Sequence, residues 1–398
     1  MGLNQTVSAE RVHIAFFGLR NVGKSSLVNA VTGQELSVVS DVKGTTTDPV
    51  KKAMELLPLG PVVIIDTAGI DDEGELGSLR IQKSKEVLDI TDIAVLVTEA
   101  HRELTEPEKE LAYTFKKKKL PFIIVLNKAD LAPHRKEKDN EILVSAKEGT
   151  NILKLKEKLA GLIPDKSEKY ILKDLVNKGD TVILVMPIDE SAPKGRIILP
   201  QQEVLRELLE IGCIILCVQN SELKESLLKL KSPPSLVITD SQVFKEVSEI
   251  VPEDIRLTSF SILFARYRGG LAKMLEGADM LSKLKDGDRV LISEGCTHHR
   301  QCEDIGTVKL PRWIREYSGA SPHFEFTSGG TYPDDLTSYK LIVHCGGCML
   351  NEAAMKSRIG KAVNQGVPIV NYGMAIAEMT GILLSLIHIS EPTIRTPI

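Results

Sequence analysis

The sequence has no apolar run approaching the roughly 20 residues that cross a bilayer, and no signal-peptide core near its start. A cytoplasmic location without a membrane partner is therefore expected. It also has no excess of positive charge, since 50 Lys and Arg stand against 54 Asp and Glu for a net charge of -4. That balance excludes the basic footprint with which a domain grips nucleic acid, so no nucleic-acid partner is expected. The one basic run, Lys116 to Lys119, precedes the apolar "LPFIIVL" and reads as a solvated helix end. Cysteine is scarce, with six in 398 residues. In a reducing compartment these are expected to be ligands rather than disulfides. Cys213 and Cys217 lie in the β-branched run "GCIILCVQ" and read as buried strand residues. Cys296, Cys302, Cys345 and Cys348 all fall in the last third.

A chain of 398 residues is too long for one core, and 42% hydrophobic with 26% charged residues is a globular composition. The predicted class is α/β in three domains. A P-loop nucleotide domain spans 1–165, a parallel α/β connector 170–265 and an α/β metal-cluster domain 266–383, with the polar "IPDKSEK" as the first linker. The tail 384–398 opens with "LSLIHISEPT", which looks like a translated transposon-type sequencing adapter. It is expected to be non-native and is given no functional weight.

"VHIAFFG" followed by "LRNVGKSSLVNAVTG" reads as strand, loop and amphipathic helix. Within it "GLRNVGKS", Gly18 to Ser25, matches the phosphate loop, whose backbone amides and helix N-terminus cradle phosphates. Lys24 would reach the β- and γ-phosphates, and the Ser25 hydroxyl would bind Mg²⁺. "VVIIDTAG" ends a second strand with Asp66, suited to Mg²⁺, and with Gly69, whose N–H can meet a γ-phosphate. "FIIVLNKAD" supplies Asn127, Lys128 and Asp130, and a carboxylate at Asp130 accepts the two donors that guanine offers and adenine does not. "ILVSAKEG" adds Ser145, Ala146 and Lys147, with the Ala146 N–H near guanine O6. The nucleotide-binding set is Gly18, Asn21, Gly23, Lys24, Ser25, Ser26, Asn127, Lys128, Asp130, Ser145, Ala146 and Lys147. Four motifs in order specify a GTPase.

This stretch resembles the translation-factor-like GTPases, in the branch of MnmE (TrmE), Era and EngA. "KGTTTD" is similar to that branch's first switch, and the resemblance implies Thr46 as a further Mg²⁺ ligand and Asn21 as a K⁺ ligand. The catalytic candidates are thus Lys24, Asn21, Thr46 and Gly69. Ile70 stands where Ras-like enzymes place a water-orienting glutamine, so hydrolysis should be slow.

The middle of the chain alternates apolar runs ("TVILVMPI", "CIILCVQ", "SLVITD") with helical segments, the pattern of a parallel sheet with crossovers. It holds no phosphate loop and no convergent polar set, and so reads as a dimerisation or interaction module.

In the last third, "DRVLISEG" reads as a strand that runs into "CTHHRQC", and "SYKLIV" as another that runs into "HCGGC". The next helix carries Met355, Ile359 and Val363 at four-residue spacing, with Asn351 as cap and Gly366 as stop. Ligand groups in open α/β folds gather at carboxyl strand ends, so the two motifs are expected to converge. Cys296, His298, Cys345 and Cys348 form the core set, with His299, Cys302 and His344 as neighbours. Such a set suits structural Zn²⁺, or a [4Fe–4S] cluster on three thiolates with one exchangeable position, and the surplus of histidines leans toward the cluster. The cysteine spacing of radical S-adenosylmethionine enzymes is absent.

A GTPase, an α/β connector and a C-x-H separated by 45 residues from H-C-x-x-C together resemble the HydF family of FeFe-hydrogenase maturation GTPases. The resemblance implies a homodimer through the middle domain and a [4Fe–4S] cluster on Cys296, Cys345 and Cys348, with His298 or His344 as candidate fourth or neighbouring ligands. It further implies a scaffold that carries a transient di-iron precursor to apo-FeFe-hydrogenase, alongside the other maturation proteins, which are radical S-adenosylmethionine enzymes. GTP, Mg²⁺ and K⁺ are the remaining implied cofactors. The competing expectation is a zinc-stabilised RNA- or ribosome-associated GTPase of the MnmE or Era type.

Overall fold

A computed structural model describes residues 10–34, 49–69, 75–163, 170–188, 197–268, 270–295, 304–347 and 350–383. The chain divides into two compact units, Met1–Asp165 with Asn351–Ala354, and Lys166–Leu350 with Met355–Ile398. The tail, Thr46, Ile70, Cys296, His298, His299, Cys302 and Cys348 lie outside the described residues.

The first unit runs β1 (Val12–Phe17), α1 (Lys24–Thr32), β2 (Val50–Leu56), β3 (Gly60–Asp66), α2 (Glu75–Ile90), β4 (Ile93–Glu99), α3 (Glu106–Lys117), β5 (Phe122–Asn127), β6 (Glu141–Leu143) and α4 (Ile152–Gly161). Its sheet has the order β2-β3-β1-β4-β5-β6, with only β2 antiparallel. Continuous apolar runs form β1, β3, β4 and β5 because both faces of the sheet are covered there, whereas the edge strand β2 is largely exposed. Ile14, Phe16 and Ile64 meet Leu27 and Val31 of α1 and Leu155 of α4. On the other face, Ala15, Phe17 and Ile65 meet Val87 of α2 and Phe115 of α3. The start of α3 is fixed by Glu108, which accepts from the Thr105 N–H at 2.9 Å and takes both prongs of Arg102 at 2.7 and 2.8 Å. Its last turn holds Lys116 and Lys117, and Lys116 to Lys119 are all exposed, as a solvated helix end requires.

The second unit holds two parallel sheets. The first comprises β7 (Thr181–Val185), α5 (Leu199–Ile211), β8 (Ile214–Val218), α6 (Leu223–Lys229), β9 (Leu236–Thr239), α7 (Phe244–Ile250), β10 (Leu257–Ser259) and α8 (Phe260–Tyr267), in the order β10-β9-β7-β8. β8 is an edge strand, which corrects the reading of its cysteines as buried: Cys217 is exposed and Cys213 only half-buried. An apolar run specifies a strand without saying whether a neighbour covers it.

The second sheet is built from α9 (Leu271–Asp279), β11 (Arg289–Ser293), α10 (Leu310–Ser318), β12 (His323–Thr327), β13 (Leu341–His344), α11 (Glu352–Asn364), β14 (Ile369–Asn371) and α12 (Tyr372–Met379), in the order β12-β11-β13-β14. The cap of α11 is the expected one, with Asn351 Oδ1 accepting from the Ala354 N–H at 3.1 Å. Among the described residues no helix is long and apolar enough to cross a membrane.

α9 lies directly on β14, and a Cβ at Gly277 would stand 2.1 Å from the Ile369 carbonyl oxygen. Neither backbone can give way cheaply, so Gly277→Ala should cost about 1–3 kcal/mol. The urea midpoint should fall accordingly; an unchanged midpoint would contradict this packing.

Candidate nucleotide and cysteine sites

The nucleotide motifs gather at the carboxyl ends of β1, β3 and β5. Gly18 is packed so closely under β4 that a Cβ would fall 2.2 Å from the Val97 carbonyl oxygen. Gly23, at φ 88° in the left-handed region, opens α1 where a Cβ would meet Asn127 Nδ2 at 2.3 Å. Lys24 is buried, and its ammonium donates to the Gly18 and Leu19 carbonyls at 3.0 and 2.6 Å. The Ser25 hydroxyl donates to Asp66 Oδ2 at 2.7 Å, while Asp66 Oδ1 is buried with no hydrogen-bond partner among the described residues. An orphaned carboxylate oxygen beside a serine hydroxyl is costly as it stands and fits a divalent cation bound by oxygen. Gly69 sits against Arg20 of the loop, a Cβ there being 2.9 Å from the Arg20 nitrogen. Asn21 is exposed and left-handed at φ 58°, and Ser26 is half-buried in the first turn of α1.

The guanine motifs are tied to this loop through Asn127. Its Nδ2 donates to the Val22 carbonyl at 2.9 Å, and its Oδ1 accepts from the Ala146 N–H at 3.1 Å. Asp130 Oδ1 accepts from the Ser145 hydroxyl at 2.7 Å, which ties together the two guanine motifs. Lys128 is left-handed at φ 59° and ion-paired to Glu99 at the end of β4. Burial pushes the Glu99 carboxyl up, but the bonds from Lys128 and Arg102 outweigh it and hold the group below its ordinary range. Lys147 is exposed. Glu99 escaped the sequence reading, although an acidic residue closing an apolar strand was a visible signal.

In the second unit β11 and β13 are parallel neighbours, with Ser293 opposite His344. Their carboxyl ends therefore lie side by side. The Cys345 N–H donates to the Ser293 carbonyl at 2.9 Å, and Cys345 Sγ accepts from the N–H groups of Gly295 and Gly347 at 2.9 and 3.4 Å. Gly347 is left-handed at φ 64°, and a Cβ there would lie 2.5 Å from Met355 Sδ. Backbone N–H groups aimed at a sulfur favour its thiolate form, and this donor arrangement fits a thiolate-bound metal group. Among the described residues no set of three or more His, Cys, Asp or Glu could hold a metal ion, since Cys296, His298 and Cys348 fall outside them.

His344 is wholly buried, and both of its ring nitrogens are engaged. Nδ1–H donates to the Cys345 carbonyl at 2.6 Å, and Nε2 accepts from Arg358 at 3.0 Å. Burial first and the Arg358 charge second lower the imidazole to about 3, so the ring is neutral at physiological pH. Arg358 reaches it from α11, donates also to the Gly329 carbonyl at 2.6 Å and lies 5.0 Å from the centre of the Tyr332 ring. This arginine was missed in the sequence. Its signal was a charge at 358 in the buried stripe Ala354, Met355 and Ala362.

A cavity of about 220 Å³ opens on Cys345 and Gly346, with Arg268, Phe264, Ser241 and Tyr372 among its walls. Elements of both sheets of the second unit line it.

Three domain families match the chain: 50S ribosome-binding GTPase over residues 13–128, the hydrogen maturase F dimerization domain over 171–269 and the hydrogen maturase F tetramerization domain over 272–389. The two maturase matches run almost without a break, and the second extends past residue 383. Among curated proteins, the tRNA modification GTPase MnmE of Clostridioides difficile is 31% identical over 179 residues, which is 44% of this chain and 38% of that protein. GTPase Der of Wolinella succinogenes is 34% identical over 184 residues, 42% of this chain and 39% of that protein. The chain thus spans less than half the length of these curated relatives. Among solved structures, Aquifex aeolicus Era bound to GDP·AlF4⁻ is 20% identical and covers 52% of this chain and 93% of its own, with a TM-score of 0.34.

The neutral His344 has a pH consequence. Its pKa in the fold, about 3, lies below the ordinary 6.5, so between those values the unfolded chain binds a proton that the fold refuses. Stability contributed by the neutral ring is complete above pH 6.5 and is lost as pH falls toward 3. His344→Asn retains a donor for the Cys345 carbonyl and should flatten this acid limb in denaturant titrations. Equal losses in the variant and the wild type would contradict the assignment.

Proposed function

The chain belongs to the hydrogen maturase F family, and from that premise we propose that it is a GTP-hydrolysing scaffold of FeFe-hydrogenase maturation. It holds a [4Fe–4S] cluster on Cys296, Cys345 and Cys348 and passes a di-iron precursor to the apo-hydrogenase. One observation supports this reading: parallel pairing of Ser293 with His344 sets the carboxyl ends of β11 and β13 side by side, and the Gly295 N–H, one residue before Cys296 in the sequence, points at Cys345 Sγ. A cluster bound there supplies an iron with an exchangeable position and a reducible centre. His298 and His344 are the candidate fourth or neighbouring ligands, and the hydrogen bonds already made by both ring nitrogens of His344 favour His298. The cavity beside Cys345 is the berth for the cargo, which the other maturation enzymes build.

In the first unit, Lys24, Ser25, Asp66 and Thr46 hold GTP and Mg²⁺, Gly69 meets the γ-phosphate, and Asp130 with Asn127 selects guanine. Asn21 holds K⁺, which stimulates a reaction kept slow by Ile70 in place of a water-orienting side chain. Hydrolysis then serves as a timer through the switch segment at Thr46. The protein acts in the cytoplasm as a homodimer. The unpaired edge strand β8, with Ile214 at 62% exposure, supplies the self-complementary surface.

The two sites should fail separately. Asp130→Ala should abolish GTP binding and leave iron content intact, whereas Cys345→Ser should lose the iron and keep GTP turnover. Loss of both properties in either variant would overturn the assignment. For the dimer, Ile214→Asp should halve the mass measured by light scattering at unchanged GTP turnover; an unchanged mass would place the contact elsewhere.

A further inference from the structure

Cys345 is followed by two glycines, and the peptide joining them is held at both ends. The Gly346 carbonyl accepts from Arg268 Nη1 at 2.9 Å, while the Gly347 N–H of the same peptide is directed at Cys345 Sγ at 3.4 Å. The carbonyl and N–H of a trans peptide point in opposite directions in one plane. Fixing the first therefore aims the second. The guanidinium also approaches the Gly347 carbonyl at 3.5 Å from both of its terminal nitrogens. It lies 5.6 Å from the centre of the Phe264 ring, one turn back on α8, which restrains its direction. Gly347 has no room for a side chain on this face, since a Cβ would lie 3.0 Å from Arg268 Nη1. The turn is thus clasped between the arginine and the sulfur.

The origin of Arg268 matters as much as its contacts. It caps the C-terminal end of α8, and α8 follows directly from β10 of the other sheet in the same unit. A displacement of that sheet would be carried by α8 to the peptide facing the sulfur. Ser241 and Ser261, which hydrogen-bond to each other at 2.9 Å, line the same cavity as Arg268 and Cys345, so elements of that sheet border the site.

We propose that Arg268 is a positioning residue for the thiolate site: by holding the 346–347 peptide it keeps an N–H donor on Cys345 Sγ and sets the reduction potential of the group bound there. The proposal rests on the reading of Cys345 as a cluster ligand. Donors to a cluster sulfur and a nearby positive charge both favour the reduced, more negative state, so removing them makes reduction harder. Polarisation of the Gly346 carbonyl by a charged donor strengthens the N–H at the other end of the peptide.

The test compares the full-length wild type with Arg268→Gln and Arg268→Lys, each reconstituted with iron and sulfide without oxygen, by EPR-monitored redox titration. Iron content and GTP turnover serve as parallel readouts. The midpoint potential should be highest in the wild type, lower in Arg268→Lys, which keeps the charge but loses the fork, and lowest in Arg268→Gln. GTP turnover should be the same in all three. Equal midpoints in the wild type and Arg268→Gln would overturn the proposal, and a wild-type midpoint in Arg268→Lys would overturn the positioning role by showing that charge suffices. If Arg268→Gln takes up no iron, Arg268→Lys decides by the same comparison. A wild type that takes up no iron would instead sink the cluster reading itself.

Discussion

Cys345 owes its position to the parallel pairing of β11 with β13. With Ser293 opposite His344, the backbone amide of Cys345 is consumed by the Ser293 carbonyl, and the sulfur turns toward the Gly295 N–H on the neighbouring strand end. The ladder thereby spends its last bonds on orienting a thiol. His344, the final residue of β13, closes the arrangement by donating to the Cys345 carbonyl while Arg358 occupies its other nitrogen. A buried imidazole with both nitrogens engaged is a rigid strut, and losing either partner would leave a buried polar group unsatisfied at a cost of about 1–3 kcal/mol.

The same economy organises the nucleotide unit, where strand ends again deliver the chemistry and glycines make the close approaches possible. Gly18 and Gly23 stand where a Cβ would strike Val97 and Asn127. Asn127 in turn bridges the phosphate loop and the guanine-selecting turn through Val22 and Ala146. One side chain thus fixes the spacing between the two ends of the nucleotide. Asp66, with one oxygen bonded to Ser25 and the other buried alone, is arranged for a cation rather than for the protein interior.

Legibility in the sequence followed the range of the interactions. The phosphate loop, the guanine motifs and the Asn351 cap were readable because their signals are local and glycine, asparagine and aspartate report backbone geometry directly. The adjacency of β11 and β13 was inferable from two apolar runs that each end in a cysteine motif. The exposure of Cys217 was not, because burial on an edge strand depends on which neighbour is missing. Arg268 and Arg358 were invisible for a related reason: each acts on a residue 78 or 14 positions away, and no spacing rule connects them. Thr46, Cys296, His298 and Cys348 lie outside the described residues.

The proposal that Cys296, Cys345 and Cys348 together hold one iron–sulfur cluster rests on the adjacency of the ends of β11 and β13. The most direct test is the metal content and low-temperature EPR spectrum of the protein purified and reduced without oxygen. The account predicts a brown protein with about four irons per chain and the spectrum of a reduced [4Fe–4S] centre. A colourless protein with one tightly bound zinc per chain would contradict it.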